Sequence, residues 1–356
     1  MTLSIKNFLT LLLQSLVFWT FAFFLFAFIR YNGINEELTM FFEETVNFTF
    51  IEWFDYVLFL GLIIGVFYAV IEFLFNQFLN SKLSLGVYIL TKTLIYFIVI
   101  ITLLSVFSFS IEEQLDRDLQ NELGWWRDST FFWNVVVYFI IGSLIFSFLE
   151  MARNKFGRDV FFKMLIGTYR KPKEEERILM FIDLKDSTTI AEQLGHVVYS
   201  RFIQDCFYDL NIVVNKYDAQ IYQYVGDEVV LSWTYKKGLS KNNCVKLFFA
   251  FRDKLNKRES YYLSHYKIKP EFKAGLHGGK LMIAEVGSVK KELAYHGDVI
   301  NTASRIQGQC NTYKASLLVS GDLLNKSIIK LNYNTKLLGD IALKGKQEKL
   351  KIYSIS

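Results

Sequence analysis

The sequence predicts two unlike halves. The first is a four-helix membrane domain over residues 1–150; the second is an α+β domain over 178–356 in the order β-α-β-β-α-β. An amphipathic helix and charged linker over 151–177 join them. Three observations predict this. Of the 356 residues, 52% are hydrophobic and 17% aromatic, and almost all of the excess lies before position 150. Four apolar runs there reach the roughly 20 residues that a bilayer requires. Beyond position 178 apolar residues come in short runs or at helical spacing, separated by Gly, Asp and Asn.

The four runs are Phe8–Ile29, Tyr56–Leu79, Leu85–Phe107 and Phe131–Leu149. The first is too long for a cleaved signal peptide, and no small-residue cleavage site follows it. The segment Tyr31–Asp55 carries six acids and no Lys or Arg, and Ser110–Thr130 is also acidic. Lys6, Lys82 and the cluster from Arg153 to Lys173 fall on the opposite side. Basic loops stay cytoplasmic, so both termini are expected inside, the acidic loops outside, and Trp125 and Trp126 at the outer interface. The expected location is the inner or plasma membrane, multi-pass, with the second domain cytoplasmic. The outer loops are too short for a folded sensor, so the helices serve either as anchor and dimerisation device or as a sensor within the bilayer. Glu72 and Lys92 lie inside the runs, where charge is costly; they either snorkel or pair with each other, and are too few for a channel or transporter.

The net charge of +5 is explained by this topology. No basic stripe with interleaved aromatics appears, so no nucleic-acid partner is expected. Cys206, Cys244 and Cys310 are odd in number and lack ligand spacing, which reads as reduced thiols in a cytosolic domain.

From the membrane onward, Glu150–Tyr169 has Phe156, Val160, Phe161, Met164 and Leu165 at helical spacing. Such a basic helix can lie on lipid or continue as a two-helix coil. Pro172 ends it, and Lys171–Arg177 is expected to be solvated. Ile178–Leu184 is the first strand. Ser187-Thr188-Thr189 caps a helix that begins over Ile190–Leu194 and continues over Tyr199–Tyr217. Tyr222–Leu231 is a strand pair with Gly226-Asp227 at its tip. Asn242–Leu255 is a helix. Phe272–His277 and Lys280–Val286 read as a strand pair turned at Gly278-Gly279. Asp298–Gln309 is a helix, and strands follow near Leu317–Ser320 and Lys349–Ile355. This is the ferredoxin-like order, whose open sheet sets the ends of the first strand and the following hairpin side by side.

The chemistry sits at those ends. Asp183 closes the run Met180-Phe-Ile-Asp183, and Asp227 tips the hairpin. Two adjacent carboxylates suit a pair of hard cations such as Mg²⁺ or Mn²⁺, and two such metals form a phosphoryl-transfer device. Asn301 and Arg305 stand one helical turn apart and share a face. An Asn that positions a ribose and an Arg that grips a phosphate suit a reacting nucleotide. Lys344 offers a third cation. His277 and His296 read as structural.

These residues carry a resemblance. Phe181-Ile-Asp183 with Ser187-Thr188, Val225-Gly-Asp227, Gly275-Leu-His-Gly-Gly279, Gly297-Asp-Val-Ile-Asn-Thr-Ala-Ser-Arg305 and Leu343-Lys-Gly345 resemble the catalytic domain of the class III adenylate and guanylate cyclases, in a membrane-anchored bacterial form. The resemblance implies that Asp183 and Asp227 bind two Mg²⁺ or Mn²⁺ ions with the backbone carbonyl of Ile182 or Leu184. It implies that a nucleoside triphosphate cyclises to the 3′,5′-cyclic nucleotide with loss of pyrophosphate, Asn301, Arg305 and Lys344 acting on the substrate. It also implies a homodimer, in which the aspartates of one chain meet the Asn/Arg pair of the other.

The family reads the base at two positions that here are Gln223 and Ala294, departures from its usual residues. The Gln amide both donates and accepts, and Ala makes no hydrogen bond. ATP is the favoured substrate. A cyclase making cyclic CMP, UMP or GMP, the pyrimidine form serving in phage defence, is an alternative. So is a silent membrane receptor or binding module. A diguanylate-type cyclase is excluded by the missing Gly-Gly-Asp/Glu-Glu-Phe hairpin.

Overall fold

The computed structural model describes residues 3–41, 50–78, 85–115, 127, 130–156, 158–326, 333–341 and 349–356. The chain divides into two compact units, Met1–Lys155 and Phe156–Ser356.

The first unit is helical: α1 (Leu3–Phe41), α2 (Phe50–Phe78), α3 (Leu85–Leu115) and α4 (Thr130–Phe156). Three helices are long and apolar enough to cross a membrane, through Phe8–Ile29, Leu58–Phe75 and Phe132–Arg153. The run expected as a span over Leu85–Phe107 is the exception. It lies within the continuous helix α3, and among the described residues it contributes a shorter apolar helix, Leu90–Leu103, with Lys92 inside it. The expectation for Trp125 and Trp126 lies outside the described residues.

Small residues let α1 and α2 close up. A Cβ on Gly61 would stand 2.7 Å from the Cα of Thr20, and one on Gly65 2.9 Å from that of Leu16. This is the Gly-x-x-x-Gly packing of apolar helices. The interior is aromatic: Trp19, Tyr68, Tyr96 and Phe139 are buried, and the Tyr68 and Tyr96 rings stack 3.8 Å apart. On α1, Leu13, Val17 and Phe21 form an exposed apolar stripe one turn apart. Of the two expectations for Glu72 and Lys92, pairing holds. Both are buried and ion-paired, and the Tyr96 hydroxyl donates to Glu72 Oε1 at 3.2 Å.

The second unit is α5 (Arg158–Leu165), β1 (Lys173–Leu184), α6 (Ser187–Val214), β2 (Gln220–Val225), β3 (Glu228–Thr234), α7 (Tyr235–Leu239), α8 (Asn243–Lys257), α9 (Glu259–Tyr266), β4 (Phe272–Val286), β5 (Glu292–His296), α10 (Asp298–Gly308), β6 (Leu317–Ser320), α11 (Gly321–Asn325), β7 (Thr335–Ile341) and β8 (Leu350–Ile355). The strands form one mixed sheet in the order β2-β3-β1-β4-β6-β8-β7, with β5 on β4. Neighbours β2-β3, β3-β1 and β1-β4 are antiparallel, and β4-β6 is parallel.

Alternation along β1 divides the core into two layers. Ile178, Met180 and Ile182 face Phe202, Cys206 and Leu210 of α6 and Phe248 and Phe251 of α8. Leu179 and Phe181 face Val299 and Ala303 of α10, together with Tyr169. The three cysteines are free and buried.

Four expectations need correction. Lys173–Arg177 is not a solvated linker but the first part of β1, paired with Gly279–Ile283 of β4. Arg177 is buried there, because Glu175 (2.7 Å) and Gln220 (2.9 Å) accept its guanidinium protons. Gly278-Gly279 is not a turn. It lies inside the continuous β4, paired with Ile178 and Arg177. The helix cap is Asp186 in the left-handed region, with no side-chain cap bond, rather than Ser187-Thr188-Thr189. Strands β5 and β7 were not expected; β5 has only five residues and no residue of β7 is fully buried, so neither leaves a clear apolar pattern. The β4 glycines serve close packing. A Cβ on Gly275 would meet Gln307 N at 2.2 Å, and one on Gly279 would meet Val299 at 2.7 Å, so α10 lies directly on the strand.

Candidate active site

The mouth of the sheet is where β1 ends and the β2–β3 hairpin turns. Asp183 is the last residue of β1 opposite both neighbours, across from Glu228 on one side and Lys273 on the other. Val225 pairs with Glu228, so the hairpin loop is Gly226-Asp227 alone, with Gly226 at φ +62°. A left-handed residue in a two-residue loop is a position glycine tolerates. The loop sets Asp227 beside the end of β1.

Asp183 is held on both sides. Lys273 Nζ lies 3.2 Å from its Oδ2, and Gln307 Nε2 donates to the same oxygen at 3.0 Å. Burial nevertheless pushes the Asp183 carboxyl above the ordinary carboxylate range; Lys273 opposes this and the charge of Asp227 adds to it. Glu228 is pushed up to about 7, first by burial and then by Asp183 and Asp227. The Tyr199 hydroxyl rises to about 12 by burial and by the same two aspartates. Among the described residues, the mouth thus gathers Asp183, Asp227 and Glu228 around Lys273.

Repulsion among these acids is what a divalent cation would relieve, and the donors are carboxylate oxygens, which suit Mg²⁺ or Mn²⁺. Among the described residues no cluster of three or more His, Cys, Asp or Glu is arranged to hold a metal. Ile182 is paired on both sides, with Val229 and Ala274, whereas Leu184 is paired only with Phe272. Leu184 is therefore the residue at the open end of the ladder.

The second pair lies on α10. Val299, Thr302, Ala303, Ile306 and Gln307 are buried; Asn301 is exposed and Arg305 half-buried, one turn apart on the outer side. Gln307 turns inward to Asp183 while Asn301 and Arg305 turn away from that contact. Of the base-facing positions, Gln223 is exposed on edge strand β2, and Ala294 sits on β5 across from Ala284. Their neighbours meet: the Tyr222 and Tyr295 rings stack at 4.0 Å, and Tyr295 N–H donates to the Tyr222 hydroxyl at 3.1 Å. Lys344 lies outside the described residues. His277 is buried against the Ser320 hydroxyl (2.8 Å), in keeping with a structural part.

Sequence reasoning missed Lys273, Gln307, Glu228 and Tyr199. One signal was present: Gln307 is an amide in the apolar stripe that Val299, Ala303 and Ile306 draw along α10. Nothing local marks Lys273, whose role comes from its register across from Asp183.

An α+β sheet whose mouth gathers carboxylates, with a helix carrying Asn and Arg laid against it, is the kind of domain that handles phosphates. Residues 169–356 match the family described as the adenylate and guanylate cyclase catalytic domain, and the chain belongs to that family. Its members are lyases that cyclise nucleotides, and they generally use divalent metals. The chain is 34% identical over 223 residues to adenylate cyclase 2 of Rhizobium meliloti (strain 1021), covering 63% of this chain and 61% of that one. It is 29% identical over 189 residues to adenylate cyclase 1 of the same organism, covering 51% of this chain and 27% of that one. The chain thus spans less than two thirds of these relatives. A bacterial light-regulated adenylyl cyclase superposes with a TM-score of 0.52 at 17% identity, over 61% of this chain and 64% of that structure, which is a likeness of fold.

Proposed function

We propose that the chain is a membrane-bound nucleotidyl cyclase that converts a nucleoside triphosphate, ATP first, into the 3′,5′-cyclic nucleotide and pyrophosphate. One observation carries the reading: the paired carboxylates Asp183 and Asp227 at the sheet mouth, with Glu228 beside them. The names of the relatives favour ATP.

In this reading Asp183, Asp227 and the Leu184 carbonyl hold two Mg²⁺ or Mn²⁺ ions. When bound, the ions would supply acidity at the ribose 3′-hydroxyl and countercharge at the triphosphate. Lys273 and Gln307 orient the Asp183 carboxylate. Asn301 positions the ribose, and Arg305 with Lys344 neutralises charge on the phosphates. The 3′-oxygen loses its proton and bonds to the α-phosphorus, and the bond from that phosphorus to the bridging oxygen breaks, releasing pyrophosphate. Asn301 and Arg305 face away from the Asp183 contact within one chain, which supports a site completed by a second copy. The apolar stretches of α1, α2 and α4 support anchorage in the bilayer, with the ferredoxin-like domain on the cytoplasmic side.

The test is to incubate the purified full chain with Mn²⁺ and, separately, ATP, GTP, CTP and UTP, identifying products by mass. Cyclic AMP from ATP supports the reading as stated. Cyclic CMP, UMP or GMP instead would overturn ATP as substrate and leave the cyclase. No product from any nucleotide, at any protein concentration, would leave a silent binding module. Mixing Asp227→Ala chains with Arg305→Ala chains tests the shared site: activity returns only if two chains build it.

A further inference from the structure

The start of the second unit carries an apolar and basic face that the catalytic reading does not use. Helix α5 is amphipathic, and its two sides differ in what they touch. Inward, Met164 packs against the layer formed by Tyr169, Leu281 and Ile283. Lys163 Nζ donates to the Tyr169 hydroxyl (3.0 Å) and to Glu175 Oε1 (2.9 Å), which fixes the helix to the head of β1. Outward, Phe162, Leu165 and Ile166 are 61%, 63% and 79% exposed. These three large apolar side chains stand within five residues, at the end of α5 and in the turn that follows it, rather than as scattered singles. Arg170, Lys171 and Lys173 follow directly and are exposed. Of the three acids after them, Glu174 pairs with Lys280 (2.9 Å) and Glu175 with Lys163 and Arg177, while Glu176 is exposed.

The chain itself says what lies nearby. The apolar stretch of α4 ends at Arg153, and α5 begins at Arg158. Each intervening residue spans at most about 3.5 Å, so α5 starts close to the end of a bilayer-crossing stretch. Apolar side chains beside a cluster of cations match the boundary between acyl chains and anionic headgroups.

We infer that the outer face of α5 and the turn after it, Phe162, Leu165 and Ile166, rests in the headgroup layer of the membrane, and that Arg170, Lys171 and Lys173 make this docking selective for anionic lipid. The inference rests on the reading that the first unit lies in the bilayer. It makes α5 a lipid-bound fastening of the catalytic unit, and it excludes α5 as the seam of a coil with a second chain.

The experiment uses the full chain in nanodiscs of zwitterionic lipid alone or with anionic phosphatidylglycerol. Because the three native cysteines are buried, a spin label reacts selectively at Ile166→Cys or Leu13→Cys. Leu13 is 63% exposed on α1 and reports whether the first unit meets lipid. In anionic discs the Ile166 label is expected to favour oxygen over a water-soluble nickel reagent, at about 5–10 Å into the boundary. It should shift toward water in zwitterionic discs, and equally with Arg170, Lys171 and Lys173 all changed to Gln. A label that reports water in both lipids overturns the docking. One shielded from both reagents means a protein contact and overturns it too. Equal depth in both lipids overturns the anionic selectivity. If the Leu13 label also reports water, the membrane reading itself fails; if it reports lipid while Ile166 reports water, only this inference fails.

Discussion

Each unit contains a carboxylate paired with a lysine, and the two pairs are built to opposite ends. Glu72 and Lys92 are sealed: their side chains are 1% and 5% exposed, and Tyr96 satisfies the carboxylate further. Asp183 and Lys273 are open, at 22% and 12%, and face a second aspartate and a glutamate that Lys273 alone does not balance. A sealed, matched pair holds helices together and has no spare capacity for a ligand. A half-open, over-acidic group retains the capacity to bind a cation. Burial and stoichiometry, rather than the mere presence of charge, separate the structural pair from the one proposed to be catalytic.

The comparison breaks most visibly at Asp227. Asp227→Ala removes one of the two proposed metal carboxylates and should lower cyclase activity by roughly 10³-fold or more, measured as cyclic nucleotide by mass spectrometry. The melting temperature should hold or rise slightly, since the change relieves repulsion with Asp183. A large loss of stability would put Asp227 with the structural pair instead.

Glu72→Ala should do the reverse. It leaves Lys92 buried without its carboxylate, a change that costs about 3–5 kcal/mol. Unfolding of the full chain in detergent would report it. The double change Glu72→Gln with Lys92→Met should recover most of the loss, because removing both charges costs far less than stranding one. If the double variant were as unstable as the single, the pair would not be the cause.

Gln307→Leu keeps the helix packing but removes the donor to Asp183. A hydrogen bond to a charged group contributes about 1.5–3 kcal/mol, so activity should fall by roughly one to two orders of magnitude at most. The Mn²⁺ concentration for half-maximal activity should rise as well, a readout that simple loss of packing would not move.

The smallest effect concerns Glu228. Its folded pKa, about 7, lies above the ordinary glutamate value of 4.5, so the folded state binds the proton more readily than the unfolded chain. Its ionisation therefore takes stability away as pH rises from 4.5 through 7. Glu228→Gln should raise the melting temperature at pH 8 by a few degrees and leave it unchanged at pH 4, in EDTA. A gain of the same size at both pH values would mean that charge is not the cause.

How much was legible follows the range of each signal. The helix of Asn301 and Arg305 shows in local spacing, and so does the carboxylate at the end of a short apolar run. The charged stretch Lys173–Arg177 was misread, because Glu174, Glu175 and Arg177 find partners in Lys280, Lys163 and Gln220 from elsewhere in the chain. Gly278-Gly279 looked like a turn for the same reason. Glycine marks a turn locally, but here it marks the close approach of Tyr235 and Val299.

The sequence by itself determined the division into an apolar and an α+β half, the acidic strand ends and the residues of the family's motifs. Those follow from hydrophobic period, composition and chain-local chemistry, which need no partner in space. Only the tertiary structure decided that Lys273 and Gln307 both seize Asp183, that Glu72 takes Lys92, and that α10 turns Asn301 and Arg305 away from the aspartate Gln307 holds. Each of these depends on strand register or helix rotation. Both are set by packing summed over the whole core, which no short stretch of the chain encodes.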